Sequence, residues 1–217
     1  VPWSGNLAHL PTENDTLTQL NVTASGNHSI LVYTSNPNGS ADQLPGNDSR
    51  TGSFYVDNIV IPYPVVEGFE STAFPPANWN ITGNSGSLWV HSDTIGAYGL
   101  SSKSAYANFY DIASGTSNME SSRIDLTAAS APVYLGFSHA YARYNATFID
   151  TLEISITEDC GASWYSLYQK WDTALCTDLN FYTGKFFPTA SQWTTDYIDI
   201  SSYIGQNVKV RFEAESG

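Results

Sequence analysis

Two kinds of side chain in this sequence are equipped for chemistry: dispersed carboxylates and clustered aromatic rings. Asp93 lies in the polar turn His91-Ser92-Asp93 after Trp89, and Asp150 opens the run DTLEISITEDCGASWYSLYQK at 150–170. A hard cation gathers six to eight oxygens from carboxylates, amides and carbonyls, so acids spread over loops suit calcium first. No D-x-D-x-D-G loop frames them, and acids in turns also serve as local hydrogen-bond acceptors. Ion ligand and turn residue are both open readings of these two acids.

The rings gather around the irregular stretch 172–192, where Trp171, Tyr182, Phe186, Phe187 and Trp193 fall. Flat rings on an exposed loop stack on sugar faces or grip a protein partner. A connection of about 20 residues without structure of its own is often functional. Trp171, Tyr182 and Trp193 are therefore the candidate ligand-binding residues, with capping of a sheet edge as the competing role. Trp79, Trp89 and Trp164 read as core.

Bond-breaking chemistry finds little support. The sequence has no G-x-S-x-G elbow and no H-E-x-x-H pair, and His9, His28, His91 and His139 stand in no recurring pattern with an acid or nucleophile. His139 follows Phe137 on an alternating run and reads as a packing residue. A glycosidase needs two carboxylates flanking a cleft, and an acidic chain offers too many candidates for any pair to stand out. The expectation is a protein that binds rather than catalyses.

Cys160 and Cys176 are the two cysteines and belong to no C-x-x-C pair. In an exported chain they would form one disulfide, contributing roughly 3 kcal/mol on a chain-entropy estimate; in a cytosolic chain they would be free thiols. Charged residues are 13% of the chain and the formal net charge is -13. So sparse a charge, against a globular norm of about 25%, leaves Ser, Thr, Asn, Gly and Tyr to build the surface, as in secreted β proteins. The absence of a basic patch excludes nucleic acid as a partner. No apolar run approaches the ~18 residues of a membrane span, so no membrane insertion is expected. The chain begins at Val1-Pro2-Trp3 without a leader, which reads as an excerpt from a longer precursor. Seven N-x-S/T sequons, such as Asn80 and Asn145, are read as chance in so Asn-, Ser- and Thr-rich a chain.

The elements that must position these residues are strands. Leu152, Ile154 and Ile156 alternate with polar neighbours, then a Gly-containing turn leads into Trp164–Tyr168, the pattern of an antiparallel hairpin. Val208, Val210, Phe212 and Ala214 alternate with Lys209, Arg211, Glu213 and Glu215, one face buried and one wet. Further strands are expected at Val65–Glu70, Leu88–Val90, 104–109, 121–126, 133–141 and 193–200. Ahead of them, short runs at Leu17–Thr23, His28–Thr34 and Gly52–Val60 are separated by Asn/Gly/Pro-rich turns. Pro62 and Pro64 withhold ladder donors and mark a boundary. The pattern predicts an all-β fold with a two-sheet sandwich after residue 64.

Two resemblances add to this. Trp3-Ser4-Gly5-Asn6-Leu7, Ser25–His28 and the Asn-rich stretch 35–56 are similar to the closing strands of CARDB-type immunoglobulin-like modules. Residues 1–64 then read as a partial spacer and linker. E-G-F-E at 67–70, F-P-P-x-x-W at 74–79, S-S-R-I-D-L at 121–126, D-T-L-E-I-S-I-T-E-D-C-G-A-S-W at 150–164 and W-x-x-D-x-I-D-I-S-S-Y-I-G at 193–205 carry the second. Together with V-K-V-R-F at 208–212, they resemble the choice-of-anchor J or cleaved-adhesin jelly rolls, MAM-like modules of secreted Bacteroidota proteins. Such modules often sit beside a peptidase domain and a type IX secretion signal. They usually finish with a Y-I-D-N-I strand; Tyr55-Val56-Asp57-Asn58-Ile59 has that form, so the first residues also read as the end of a preceding module.

The resemblance implies an antiparallel jelly-roll β-sandwich over 65–217, preceded by a partial immunoglobulin-like β-sandwich. It implies Glu70 as an ion ligand, joining Asp93 and Asp150 around a structural calcium. The expected role is adhesion or accessory support within a larger secreted or cell-surface protein, possessing no catalysis of its own. Its partners would be other domains of the same precursor and an extracellular protein or glycan. A carbohydrate-binding module using 171–193 is the alternative.

Overall fold

Alternating apolar side chains can be hidden only if strands stack in layers, and layers are what form. A computed structural model describes residues 22–24, 26–33, 46, 48–56, 58–84, 88–112 and 114–217. The chain divides into two compact units, Val1–Asn58 and Ile59–Gly217.

In the first unit β1 (Gly26–Tyr33) pairs antiparallel with β2 (Ser49–Val56), from Gly26 opposite Val56 to Tyr33 opposite Ser49. The His28 ring stacks on Phe54 at 5.6 Å between centroids. The expected strand at Leu17–Thr23, Trp3–Leu7 and most of the Asn-rich stretch lie outside the described residues.

The second unit starts ahead of the two prolines. Its first strand, β3 (Val60–Pro62), runs parallel to β8 (Arg123–Asp125), the one parallel pair among the described ladders. The others are β4 (Trp79–Gly83), β5 (Trp89–Ser92), β6 (Ser104–Ala107), β7 (Gly115–Ser121), β9 (Tyr134–His139), β10 (Thr151–Thr157), β11 (Tyr165–Trp171), β12 (Thr194–Asp199) and β13 (Asn207–Ser216). One layer is the sheet β11-β10-β13-β7-β4, with β8 pairing the start of β13 and linking β3. The facing layer is made of two separate antiparallel pairs, β12-β9 and β5-β6.

Two apolar clusters join the layers. Ile156 and Val208 of the large sheet meet Leu126, Val133 and Ile200, with Leu135 and Ile198 of β9 and β12 against them. Met119 and Ala214 meet Leu88 and Trp89, with Ala105 and Ala107 of β6 alongside. The Trp89 indole N–H, buried with its ring, donates to Ser117 O at 3.0 Å. The all-β sandwich read from the sequence is the fold of this unit. Trp164 is only half-buried, its ring covered by the Arg211 guanidinium at 4.5 Å.

Two sequence expectations are corrected here. Val65–Glu70 joins no ladder; it runs irregularly from the Tyr63-Pro64 turn to Glu70. Cys160 and Cys176 are not bridged but free. The hairpin explains why: Cys160 sits in its turn, just beyond the Ile156–Tyr165 pair, whereas Cys176 lies past the opposite end, where Thr151 faces Trp171. Strand rise puts about 20 Å between those ends, against the roughly 4.4–6.8 Å between Cα atoms that a disulfide spans.

Candidate functional site

Because the second layer consists of two separate pairs, the sandwich stays open between them. The opening is a cleft of about 1090 Å³. Its floor is apolar: Leu152 and Phe212 of the large sheet reach it half-buried, with Met119, Val210 and Ala214 buried behind them.

At one mouth of this cleft two loops bring aromatic rings together. Tyr110 comes from the turn after β6; Tyr144 and Phe148 come from the loop between β9 and β10. Tyr110 and Tyr144 lie 6.2 Å apart between centroids, and Tyr144 and Phe148 lie 6.0 Å apart. These are contact distances for tilted and edge-on rings. All three stay between 42% and 51% exposed, so each keeps a face toward water. Behind them Phe109 meets Tyr141 edge-on at 6.2 Å. The loop carrying Phe148 is tightened by Asn145, whose Oδ1 accepts from the backbone N–H of Thr147 at 2.7 Å and of Phe148 at 3.2 Å.

Polar groups border the rings. Lys185 Nζ donates to Asp111 Oδ2 at 2.7 Å, Asn108 Nδ2 donates to the same oxygen at 3.0 Å, and the Tyr106 hydroxyl donates to Asn108 Oδ1 at 3.3 Å. The Lys185 bond, helped by Asn108, holds the Asp111 carboxyl below its ordinary value. Burial pushes the Tyr106 hydroxyl up. Such a border offers hydroxyl, amide, ammonium and carboxylate partners beside apolar ring faces, the combination that suits a sugar.

The 172–192 stretch forms one wall. Asp178 Oδ2 accepts from the Tyr182 hydroxyl at 2.8 Å and also from Gln192, and Asp178 Oδ1 accepts from Asn180 N at 2.9 Å. Those bonds, the Asn180 backbone first, depress the Asp178 carboxyl. Tyr182 packs edge-on against Phe186 at 4.7 Å. Thr177 N and Tyr182 N donate to Tyr141 O and Arg143 O, at 2.8 and 2.9 Å, which stitches the wall to the chain after β9.

Of the candidate ligand-binding residues Tyr182 and Trp193 line this cleft, and of the acids assigned to calcium Asp150 does. Trp193 turns inward, its indole N–H sealed from water without a partner. Trp171 does not reach the cleft; it is 53% exposed at the end of β11. A bulge in the β10–β11 ladder at Ile154/Ser155 changes the parity of β11. Leu167 enters the core and Tyr168 and Lys170 reach Asp196, while Gln169 turns to the wet face to meet Glu153. Trp171, two residues on, follows Gln169 outward.

The three carboxylates assigned to calcium do not fit one ion. Both Glu70 oxygens are engaged, Oε1 by Ser102 N and Oε2 by the Ser102 hydroxyl, each at 2.6 Å. Those bonds hold the Glu70 carboxyl below its usual range. Asp150 is buried and accepts from the Tyr141 hydroxyl at 2.9 Å and from Gly217 N at 3.2 Å. Asp93 is exposed in the bend after β5. Among the described residues no three His, Cys, Asp or Glu side chains come together as a metal would require.

No family model matches the chain and no curated protein matches it. A chain solved in work on the structural basis for the promiscuous specificity of carbohydrate-binding modules from the β-sandwich superfamily is 9% identical. The likeness covers 89% of this chain and 68% of that one with a TM-score of 0.39, a level that carries no argument about function.

Proposed function

We propose that this chain is a non-catalytic adhesion or accessory module of a larger extracellular protein, and that it attaches by holding a glycan at the Tyr110–Tyr144–Phe148 mouth. The observation that supports the reading is the contiguity of three half-exposed rings beside the Asn108–Asp111–Lys185 network. Stacked rings supply apolar area without burying charge, and the bordering network supplies orientation through hydrogen bonds. The sparse charge and the Ser-, Thr- and Asn-rich composition support the extracellular placement.

The site differs from the one expected in the sequence, since Tyr182 supports its wall and Trp171 stands apart. Retention on immobilised polysaccharides tests it. Loss of one stacking ring is worth about 1 kcal/mol, so Tyr144→Ala is expected to weaken binding roughly fivefold to tenfold. Trp171→Ala is expected to leave binding unchanged. Equal retention of parent and Tyr144→Ala, with both folded, would remove the proposal.

A further inference from the structure

The body of the cleft has a geometry that the ring mouth does not use. Successive side chains of a strand point to opposite faces, so a cavity lying on one face of a sheet meets alternate residues. Every residue of β9, Tyr134 to His139, lines the cleft, and so does every residue of β6, Ser104 to Ala107. Their partners behave differently: β12 contributes Thr195 and Tyr197, and β5 contributes Trp89 and Ser92. The cleft therefore reaches both faces of β9 and β6 and passes along their edges. Among the described ladders β9 pairs with β12 alone and β6 with β5 alone. Each strand thus presents an unpaired row of N–H and C=O groups to the same opening, a ready template for another strand.

The lining also specifies what fits. The charged side chains around the opening are already engaged, with Lys103 Nζ on Glu70 O at 3.1 Å and Asp150 on Tyr141. The floor is apolar. An occupant must then satisfy backbone groups along its length, place apolar side chains inward at every second position, and bring no charge to the floor. The unit that holds it, Ile59–Gly217, carries 16 acidic against 7 basic residues, a balance that attracts basic flanks and repels acidic ones.

We propose that the cleft accepts an extended peptide segment of about six residues, the length of β9 and roughly 20 Å of strand. It adds antiparallel or parallel to the β9 edge with apolar side chains at alternate positions and basic residues outside them. Strand addition of this kind draws affinity from main-chain hydrogen bonds and specificity from alternate side-chain pockets.

The test uses the full chain and a blocked peptide in which valine alternates with threonine, flanked by lysines. A second version has the amides of one edge N-methylated, which removes donors while keeping the apolar side chains. Saturable binding of the first peptide is expected, with amide exchange across 134–139 slowed at least roughly tenfold at saturation. N-methylation is expected to weaken binding roughly tenfold or more, as several main-chain hydrogen bonds are lost. Equal binding of the two peptides would mean an apolar groove rather than a strand acceptor and would overturn the proposal. So would unchanged exchange in β9, or a concentration-dependent dimer that protects β9 without peptide.

Discussion

The Tyr141 hydroxyl donates to Asp150 Oδ2 at 2.9 Å while Gly217 N donates to Oδ1 at 3.2 Å, giving each oxygen of a carboxylate only 8% exposed its own donor. Burial nevertheless raises the Asp150 carboxyl above its ordinary value, and burial with Asp150 nearby pushes the Tyr141 hydroxyl up. A carboxyl raised in the folded state favours folding most when protonated. The Asp150 contribution is therefore most favourable below about pH 3.8, its ordinary value, and declines as pH rises through the folded value. Tyr141→Phe removes a bond that lowers Asp150, so it should cost about 1–3 kcal/mol at neutral pH. The cost should shrink toward pH 3, where the carboxyl is neutral. Denaturant melts of both proteins across this range check the convergence.

His139 gives the opposite slope. Burial lowers its ring below the ordinary histidine range, against the pull of Asp196 at 3.3 Å. Asp196 also accepts from Tyr168 at 2.9 Å and Lys170 at 3.0 Å; although partial burial raises it, those bonds hold it low. A histidine lowered on folding contributes stability above its unfolded pKa of about 6.5 and loses it as pH falls toward the folded value. Melting temperature should therefore drop between about pH 7 and pH 5, and His139→Gln should flatten that drop. An equal slope in parent and variant would locate the sensitivity elsewhere.

These groups show where the sequence was readable. The stripes at 152–156 and 208–214 gave β10 and β13 because both bury one face against the second layer. β3 was missed, since three residues ending in Pro62 carry no period. Val65–Glu70 reads as a strand by composition, but a strand exists only where a neighbour completes its ladder. The ring mouth was illegible for a different reason: Tyr110 and Tyr144 come from loops that only the fold brings together. That Trp171 stands away from the cleft was equally hidden, because alternation cannot reveal a bulge and one extra residue reverses every side chain beyond it.

Free thiols at opposite ends of the hairpin make a direct chemical prediction. Cys160 is exposed, whereas burial raises the Cys176 thiol and its Sγ donates to Asp172 O at 3.3 Å. Under native, non-reducing conditions a thiol reagent should label Cys160 first and Cys176 more slowly, with both labelled after denaturation. Cys160→Ser should shift stability by no more than about 0.5 kcal/mol, as for ordinary surface substitutions. Recovery of a Cys160–Cys176 cross-linked peptide from untreated protein would contradict the structure.

Gly96 controls the clamp that holds Glu70. A Cβ at position 96 would lie 2.4 Å from Ser101 O, 2.5 Å from Ser102 C and 2.6 Å from Lys103 N, all of them backbone atoms. Gly96→Ala must therefore displace 101–103, the segment whose N–H and hydroxyl groups bind the Glu70 carboxylate. Overpacking of this kind costs about 1–3 kcal/mol. Gly184→Ala, with open space around it, should change stability by less than about 0.5 kcal/mol. Thermal melts should give the same deficit for Gly96→Ala in EDTA and in added calcium, because the partners of Glu70 are protein groups. A parent protein that gains stability with calcium while Gly96→Ala does not would return Glu70 to the role of ion ligand.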